Sequence, residues 1–161
     1  MTLAFRLVGE KSEAEELVQD SFLRAFRSLG TFRGDAKFST WFYRILYNVC
    51  MTRVRRRGLV PVQVDGEDPG SEGAVWADPA PDVLKRMESA EVREILLEEM
   101  LQLPEAFRAA LTLFYVQELK YEEMTHVLQI PVGTVKTHLS RGRTLLRERV
   151  LERMKDEVQT P

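Results

Sequence analysis

The chain has 161 residues, of which 44% are hydrophobic and 30% are charged, a composition that excludes disordered and collagen-like proteins and suits one or two small domains. Its single cysteine, Cys50, excludes an internal disulfide, and with only two histidines the chain is poor in ligands for a structural zinc site. The net charge of −2 at pH 7 excludes a uniformly basic protein, so any surface for nucleic acid must be local.

The first 58 residues are cationic, with 11 Lys and Arg against 6 Asp and Glu, and they begin with two predicted helices. A short helix from Leu3 to Val8 ends at Gly9. Ser12 and Glu15 form a capping box for the second helix, which we expect to end near Gly30. The apolar stripe that we expect this helix to bury consists of Ala14, Leu17, Val18, Phe22, Ala25, Phe26 and Leu29.

A loop, TFRGDAK, separates the second helix from a third, which runs from about Phe38 to Arg57. We expect its buried face to consist of Phe38, Trp41, Phe42, Ile45, Leu46 and Val49. The other side interleaves rings with cations and consists mainly of Tyr43, Arg44, Tyr47, Asn48, Met51 and Arg55. Such a surface suits unstacked single-stranded bases, each of which contributes roughly 1–3 kcal/mol by stacking.

The end of this third helix carries three consecutive cations, Arg55, Arg56 and Arg57. We expect them to hold phosphates without sequence preference. The alternative is a charged helix end, because cations are also favoured near the negative end of a helix dipole.

The segment after the third helix has the composition of a flexible acidic linker. From Gly58 to Asp82 it holds eight glycines and prolines and no apolar periodicity. Residues 59–103 carry 3 Lys and Arg against 11 Asp and Glu. We therefore predict two domains, residues 1–58 and 83–157, joined by a linker over residues 59–82.

Every periodic segment of the second domain is helical as well, so the predicted fold class is all-α: two small helical domains with no credible strand. Asp82 caps a helix that contains Val83, Met87, Val92, Ile95 and Leu96. Pro104 opens a helix that contains Phe107, Leu111, Phe114 and Tyr115. A short helix from Tyr121 to Leu128 follows, and after a break of three residues a last helix runs from about Val132 to Met154.

The last two helices and the tight break between them have the form of a helix-turn-helix unit, whose second helix lies in the major groove. We expect that helix to bury Val135, Leu139, Gly142, Leu145 and Leu146 and to present Thr134, Lys136, Thr137, Ser140, Arg141 and Arg143. Arg141 suits a bidentate contact to guanine, and Thr137 suits a thymine methyl group. The alternative is a basic helix face that meets only solvent.

Two long stretches of this chain resemble one protein family, in the order in which the family has them. Residues 12–49, SEAEELVQDSFLRAFRSLGTFRGDAKFSTWFYRILYNV, resemble the second conserved region of the extracytoplasmic-function (ECF) group of bacterial RNA polymerase sigma factors. Residues 103–148, LPEAFRAALTLFYVQELKYEEMTHVLQIPVGTVKTHLSRGRTLLRE, resemble the fourth region of that group. The resemblance implies a two-domain initiation factor that binds core RNA polymerase, at its clamp coiled coil and its flap, and carries it to promoter DNA.

The resemblance also assigns roles by position. It implies polymerase contacts for Leu17, Asp20, Ser21, Phe22, Arg24 and Ala25. It implies capture of the minus-ten element, including a flipped base, by the loop from Phe32 to Phe38 with Asn48. Together with the phosphate-binding Arg55 and Arg56, the set predicted for this element is Arg33, Gly34, Asp35, Lys37, Asn48, Arg55 and Arg56. For the minus-thirty-five element it implies Lys136, Thr137, Ser140 and Arg141, and Thr134 and Arg143 of the same helix face complete the predicted set.

The family further implies an anti-sigma factor that covers these faces, and a linker that passes near the RNA exit path of the polymerase. The acidic linker either imitates nucleic acid there or serves only as a tether. The family usually has a longer first helix, whereas only Met1 to Arg6 precede the matching positions here. We therefore expect a shortened first helix and a less stable N-terminal domain.

Two other function classes fit parts of the chain. A regulator that binds duplex DNA without polymerase would also use GTVKTHLS, but it would need a sensing domain, and no phosphoacceptor-bearing strand pattern precedes it. An enzyme could use Glu123 and His126 as half of a di-iron site, or Glu122 and His126 as a metal pair, but the chain has no second E-x-x-H copy. Cys50 lies among apolar residues, as a buried and inert thiol does. We expect no enzyme activity, metal or cofactor.

Membrane and export signals are also missing from the sequence. No stretch approaches the roughly 18 apolar residues that a membrane-spanning helix needs. The N-terminus lacks the apolar region and cleavage site of a signal peptide. We therefore expect a cytoplasmic protein without membrane insertion.

Overall fold

The protein is described by a computed structural model, in which residues 1–57 and 90–159 are defined. Every regular element within these two ranges is helical, which confirms the all-α prediction. The linker predicted over residues 59–82 and the helix start predicted at Asp82 lie outside the described residues. None of the helices in the two ranges has both the length and the apolar character required to cross a lipid bilayer.

Seven α-helices and two short turns of other helical types fill the described ranges. In chain order they are α1 (Thr2–Val8), α2 (Lys11–Ser28), a 3₁₀ turn (Leu29–Thr31), α3 (Phe38–Arg56), α4 (Ala90–Leu101), α5 (Glu105–Leu111), a π-helical turn (Thr112–Val116), α6 (Tyr121–Leu128) and α7 (Val132–Gln159). Breaker residues therefore located most helix ends correctly. The last helix extends beyond the predicted Met154.

The start of α2 differs from the prediction. Its N-cap is Glu10, whose carboxylate accepts hydrogen bonds from the backbone N–H groups of Ser12 and Glu13 at 2.8 and 2.6 Å. These two bonds, the one from Glu13 first, and then the charge of Arg57 hold the pKa of Glu10 below its usual value. The capping box predicted for Ser12 and Glu15 is wrong, because Ser12 already lies in the first turn.

The outer side of α2 is apolar yet exposed, contrary to the predicted stripe. Phe22, Phe26 and Leu29 were expected in the core, but they are 59%, 79% and 48% exposed. The residues that α2 buries are Glu13, Ala14, Leu17, Ser21 and Ala25. Helical spacing did not separate the two faces, because rings on an interaction surface recur with the same period as rings in a core.

A buried carboxylate joins α2 to α3. Glu13 is 5% exposed, and its carboxylate lies 3.3 Å from the Arg53 guanidinium and 2.5 Å from that of Arg57. Arg53 also reaches Glu16 at 3.1 Å. A carboxylate removed from water requires such partners. Arg57 therefore stabilises the helix pair and is not a free cation for phosphate.

The buried face of α3 is rotated slightly from the predicted one. Leu46 and Val49 are buried as expected, but Phe38 is 50% exposed. Met51, which was predicted on the surface, is buried at 6% exposure. The half-buried side chains on this helix include Trp41, Phe42, Tyr43, Ile45 and Tyr47.

The helix that follows Pro104 does not run as one α-helix through Tyr115. After Leu111 the backbone widens into the π-helical turn, where the Gln117 N–H donates to the Thr112 carbonyl at 3.1 Å. Such wide turns often mark functional positions in helices. Here the turn ends at Gln117, a residue that contacts α3.

One hydrophobic cluster connects the helices of both described ranges. α1 packs against α2, α3 and α5, α3 packs against α6, and α7 packs against α4, α5 and α6. Its most deeply buried large side chains include Leu3, Leu7, Leu46, Leu113, Met124, Val127, Val135 and Leu139. The core therefore continues from the N-terminal helices into the C-terminal ones through the contact of α3 with α6.

Candidate nucleic-acid interface

α6 and α7 form the predicted helix-turn-helix. Gln129 ends α6 in the left-handed conformation, with φ of 58°, and its N–H donates to the Thr125 carbonyl at 2.9 Å. The next helix begins at Val132, and the Val135 N–H donates back to the Pro131 carbonyl at 3.0 Å. This compact turn places the start of α7 at the protein surface.

Burial on one side of α7 determines which residues face outward on the other. Val135 and Leu139 are almost fully buried, as predicted. A Cβ atom on Gly142 would lie 3.1 Å from the Cβ of Phe107 and 3.3 Å from side-chain atoms of Leu111. The absence of a side chain at Gly142 therefore allows α7 to lie close against α5, which fixes the rotation of the helix.

Lys136 and Arg141 are the most exposed of the six residues predicted to read the minus-thirty-five element. The Lys136 ammonium lies 5.9 Å from the centre of the Tyr121 ring, at the edge of a cation–π contact. Both cations are therefore available to a polyanion on the outward side of α7.

The other predicted residues of this helix are half-buried. The Thr137 hydroxyl donates to the Gly133 carbonyl at 3.0 Å, and the Arg143 guanidinium donates to the Tyr115 hydroxyl at 3.2 Å. Arg143 thus fixes α7 against the π-helical turn instead of extending outward. Thr134 and Ser140 lie along the edge of the outward face.

His138 lies behind the outward face and was not anticipated from the sequence. It is 9% exposed, its ring meets that of Phe107 edge-on at 5.6 Å, and its Nδ1 has no hydrogen-bond partner. Burial lowers the pKa of His138, and the charge of Arg141 lowers it further, so the ring is neutral at pH 7. His138 follows Val135 by three residues and precedes Gly142 by four, and this helical spacing is the sequence feature that could have predicted its burial.

The loop between α2 and α3 presents the residues predicted for the minus-ten element. Arg33, Asp35 and Lys37 are exposed, and Gly34 turns the chain with φ of 77°. The Lys37 ammonium is engaged by the Glu123 carboxylate of α6 at 2.9 Å. Lys37 and the neighbouring N–H of Lys120 hold the pKa of Glu123 below its usual value.

An aromatic cluster stands beside this loop. The ring centres of Phe32, Phe38 and Trp41 lie 5.3 to 5.7 Å apart in every pairing. Phe38 and Trp41 were predicted to be core residues, so this cluster was not anticipated. Their position next to a glycine-containing cationic loop is the sequence feature that could have distinguished them from aromatic residues of the core.

The remaining residues predicted for the minus-ten element form a strip along α3 and not a single pocket. Asn48, Arg55 and Arg56 are exposed on α3. With a rise of 1.5 Å per residue, Asn48 lies about 16 Å along the helix from Lys37, and Arg55 about 10 Å further. Because the spacings are eleven and seven residues, Lys37, Asn48 and Arg55 lie on one side of the helix. Exposed Arg44, which fits the same spacing, belongs to the strip as well.

The outer side of α2 forms an exposed apolar face. Its members include Phe22, Leu23, Phe26 and Leu29, and with Phe38 they line a shallow groove. The Phe22 ring packs on that of Phe42 with 4.6 Å between centres, so part of the face is held by α3.

Only some of the residues predicted to contact polymerase reach this surface. Phe22 is exposed, and Asp20 and Arg24 form an ion pair of 3.0 Å at its rim. Leu17, Ser21 and Ala25 are buried. Ala25 nevertheless lines the groove. The assignment of all six residues to a polymerase contact stays a prediction, and Leu23 and Phe26 are exposed on the same face.

Groups suited to metal or covalent chemistry are sparse in the ranges that the structure defines. No set of three or more His, Cys, Asp or Glu residues in them is placed to hold a metal ion. Burial, assisted by the Glu13 carboxylate, raises the pKa of the Cys50 thiol to about 12. Such a thiol provides almost no thiolate at neutral pH, so it is a poor nucleophile.

Comparison with known families matches both ends of the chain. Residues 1–60 match the family model of Sigma-70 region 2, and residues 93–146 match that of Sigma-70 region 4. A DNA-binding regulator built only on a helix-turn-helix does not account for the first match.

Curated relatives span most of the chain. The ECF RNA polymerase sigma factor SigW of Bacillus subtilis is 36% identical over 152 residues, which cover 92% of this chain and 81% of SigW. The RNA polymerase sigma-H factor of Pseudomonas aeruginosa is 38% identical over 149 residues, covering 88% of this chain and 75% of that protein. The ECF sigma-E factor of Escherichia coli is 34% identical, with 86% of this chain and 74% of that protein covered.

A solved structure extends the likeness to three dimensions. The sigma factor RpoE of Bartonella quintana, in complex with the anti-sigma factor NepR, matches with a TM-score of 0.68 and 25% identity. The match covers 92% of this chain and 88% of that one. By sequence, by conserved regions and by fold, this chain belongs to the ECF group of RNA polymerase sigma factors.

Proposed function

We propose that this chain binds core RNA polymerase and directs it to promoters, with three helices in separate roles. The apolar face of α2 meets the polymerase, the outward side of α7 reads the minus-thirty-five element, and the strip on α3 takes the minus-ten strand. The observation that carries the proposal is the presence of both conserved regions on one chain, at residues 1–60 and 93–146. A regulator that binds only duplex DNA does not require the region at residues 1–60.

The outer side of α2 has the properties of a protein-binding surface. Phe22 and Phe26 expose most of their rings, and the ion pair of Asp20 with Arg24 forms a polar rim. A contiguous exposed apolar patch with a polar rim is typical of an interface. The clamp coiled coil of polymerase is the partner proposed for it, and the flap is proposed for the C-terminal domain.

The proposed duplex reader is the first half of α7. Arg141 is exposed and long enough to meet a guanine edge with both of its terminal nitrogens. Lys136 and the hydroxyls near the helix start suit phosphates, because helix N-termini favour anions. His138 stays neutral behind Arg141, so it adds no like charge to that site.

Strand separation requires binding and no covalent chemistry. Taking a base out of its stack costs a few kcal/mol, and stacking on an aromatic side chain contributes roughly 1–3 kcal/mol per base. Phe32, Phe38 and Trp41 offer ring faces beside the cation of Arg33. Arg55 and Arg56 hold the strand further along α3, and linking two DNA-binding domains raises the effective concentration of each.

In this proposal the chain is not an enzyme, uses no cofactor and works in the cytoplasm with its polymerase. We also propose an anti-sigma partner. The solved structure that this chain resembles is of a sigma factor bound to an anti-sigma factor. The exposed face of α2 is a suitable target, because covering it would prevent polymerase from binding.

The decisive experiment is run-off transcription with purified core polymerase on a library of genomic promoter fragments. Core polymerase with the chain should initiate at a subset of fragments that share two spaced elements, and polymerase without it should not. The alternative function, a duplex-binding regulator, predicts the opposite pattern. In that case the chain alone would bind duplex fragments tightly, and adding polymerase would produce no transcripts from any fragment.

A further inference from the structure

Three aromatic rings form a continuous row from the π-helical turn to the start of α6. The Phe114 and Tyr115 rings meet edge-on with 4.9 Å between their centres. The Phe114 ring also stacks on that of Tyr121, the first residue of α6, with 5.4 Å between centres and an angle of 18°. All three rings are half-buried and pack against the hydrophobic core. We call Phe114, Tyr115 and Tyr121 the ring bridge.

Each end of the ring bridge contacts a cation of α7. At one end the Tyr115 hydroxyl accepts a hydrogen bond from the Arg143 guanidinium at 3.2 Å. At the other end the Lys136 ammonium lies over the Tyr121 ring, 5.9 Å from its centre. The two cations are seven residues apart, so they lie on the same side of α7 and about 10.5 Å apart along its axis. This rise is close to the combined length of the two ring-to-ring distances, so the ring bridge reaches both cations at once.

The contact with Tyr121 orders the Lys136 side chain without cancelling its charge. The ring attracts the ammonium but carries no net charge. By contrast, Lys37 is paired with the carboxylate of Glu123 at 2.9 Å. A flexible lysine loses side-chain freedom when it binds a phosphate, and a lysine that is already held in place loses less. Lys136 is therefore a charged and ordered contact point on the side of α7 proposed for duplex DNA.

We propose that the rings of Phe114, Tyr115 and Tyr121 are positioning residues for recognition of the minus-thirty-five element. Through Lys136 the ring bridge holds a cation beside the duplex backbone, and through Arg143 it fixes the rotation of α7 that determines where this cation stands. The rings act through these two side chains and not by a contact of their own with DNA. The inference rests on the proposed function. It also gives a role to the π-helical turn, which contributes two of the three rings.

NMR spectroscopy of the free full-length chain tests the contact at Lys136. Protons above the face of an aromatic ring are shifted upfield, so the ε-methylene protons of Lys136 should resonate upfield of those of the other lysines. Lys136→Ala identifies this signal by removing it. Tyr121→Phe keeps the ring and should keep the shift, whereas Tyr121→Leu should abolish it and Phe114→Leu should reduce it. An ordinary Lys136 signal in the parent chain would overturn the proposal.

A double-mutant cycle tests whether Tyr121 acts through Lys136. The probe is a promoter fragment obtained from the run-off experiment, and the affinity of holoenzyme for it is measured. Tyr121→Leu should weaken binding roughly two- to fivefold, as expected for the loss of a cation–π contact at an exposed site. In the Lys136→Ala background the same change should have almost no effect, because the cation that the ring holds is gone. Equal losses in both backgrounds would overturn the positioning role.

Arg141→Ala provides the matched control background for this cycle. Arg141 is also an exposed cation of α7, but a separation of five residues places it on a different side of the helix from Lys136. Tyr121→Leu should therefore cause its full two- to fivefold loss in this background. An effect of Tyr121→Leu that vanished here as well would mean that the cycle does not report on Lys136, and the assigned contact would be overturned.

The salt dependence of binding distinguishes a misplaced cation from a lost one. Lys136→Ala should reduce the slope of log K against log salt by about 0.9, because one phosphate contact is removed. Tyr121→Leu keeps the charge, so the affinity should fall with little change in the slope. A slope that fell equally in both variants would contradict a positioning role for the ring.

The two measurements separate this inference from the proposed function. If holoenzyme binds the promoter and the cycle shows no coupling between Tyr121 and Lys136, the positioning role is overturned and the proposed function stands. If the parent chain supports no promoter binding, the proposed function is contradicted and the positioning role is overturned with it. The NMR signal of the free chain then still shows whether the ring holds Lys136.

Discussion

The two helices assigned to DNA differ in what covers them. On α7, Lys136 and Arg141 are exposed, and the Lys136 ammonium lies 5.9 Å from the centre of the Tyr121 ring of α6. On α3, Lys37 and Tyr43 are engaged by residues that belong to the C-terminal half. The surface proposed for duplex DNA is therefore exposed, whereas residues of the C-terminal half contact part of the surface proposed for the single strand.

The largest expected effect comes from disrupting the contact proposed between the apolar face of α2 and polymerase. Phe26→Asp places a charge on a ring position that is 79% exposed, so the fold should tolerate it. Loss of a central aromatic anchor should weaken polymerase binding at least about 100-fold, or about 2.8 kcal/mol. Binding can be measured by fluorescence titration of labelled chain with core polymerase.

The control for this change is Leu151→Asp, which introduces the same charge at another exposed apolar position, 46% exposed and far along α7. It should bind polymerase much more tightly than Phe26→Asp, because Leu151 lies outside the apolar face of α2. Equal losses in the two variants would mean that α2 has no special role, and the exposed rings would need another explanation.

The second-largest expected effect concerns the close packing of α7 on α5. Gly142→Val would place atoms within 3.1 Å of Phe107, so the chain should lose about 1–3 kcal/mol of stability through overpacking. Gly133→Ala is the opposite case: its Cβ meets nothing within 4 Å, and the helix should gain up to about 1 kcal/mol. Urea unfolding of both variants measures these changes. If Gly142→Val were neutral, the orientation of α7 would not depend on close contact with α5.

Helices α3 and α6 show which features of the fold can be predicted from the sequence pattern. Breakers and apolar spacing located the ends of α3 and α6 to within a residue or two, and the turn at Gln129 to Pro131 was predicted correctly. These features are local, because a cap, a proline or a helical period is encoded by residues that are neighbours in the chain. The family resemblance was visible for the same reason.

Other features depended on contacts that no local pattern encodes. Tyr43 and Gln117 are 74 residues apart, and their hydrogen bond gives no periodic signal. Phe26 and Phe38 were predicted to be buried because a ring at helical spacing is ambiguous between a core and an interface. His138 lies in the buried stripe of α7 and was not anticipated, because its ring is polar. The family resemblance thus predicted which residues belong to the candidate site, but the sequence did not predict which of them are buried.

Arg141→Ala distinguishes base reading from simple charge on α7. If Arg141 contacts a base edge, its loss should relax preference at one position of the minus-thirty-five element by about 1–3 kcal/mol and leave other positions unchanged. Holoenzyme binding to a set of single-base promoter variants measures this preference. Lys136→Ala, which removes another exposed cation of α7, should weaken all variants alike. A uniform loss with Arg141→Ala would make it a phosphate contact as well.

The smallest effect concerns the far end of the strip on α3. Arg55 and Arg56 are exposed at the C-terminal end of α3. Replacing both by Ala should reduce the slope of log K against log salt by about 0.7 for each lost phosphate contact on a single strand. The measurement uses holoenzyme and forked promoter DNA with the minus-ten strand unpaired, at several salt concentrations. Arg27→Ala with Arg147→Ala removes the same charge elsewhere and should leave the slope unchanged. A change in sequence preference, instead of in slope, would mean that these arginines read bases and that strand capture extends along the whole of α3.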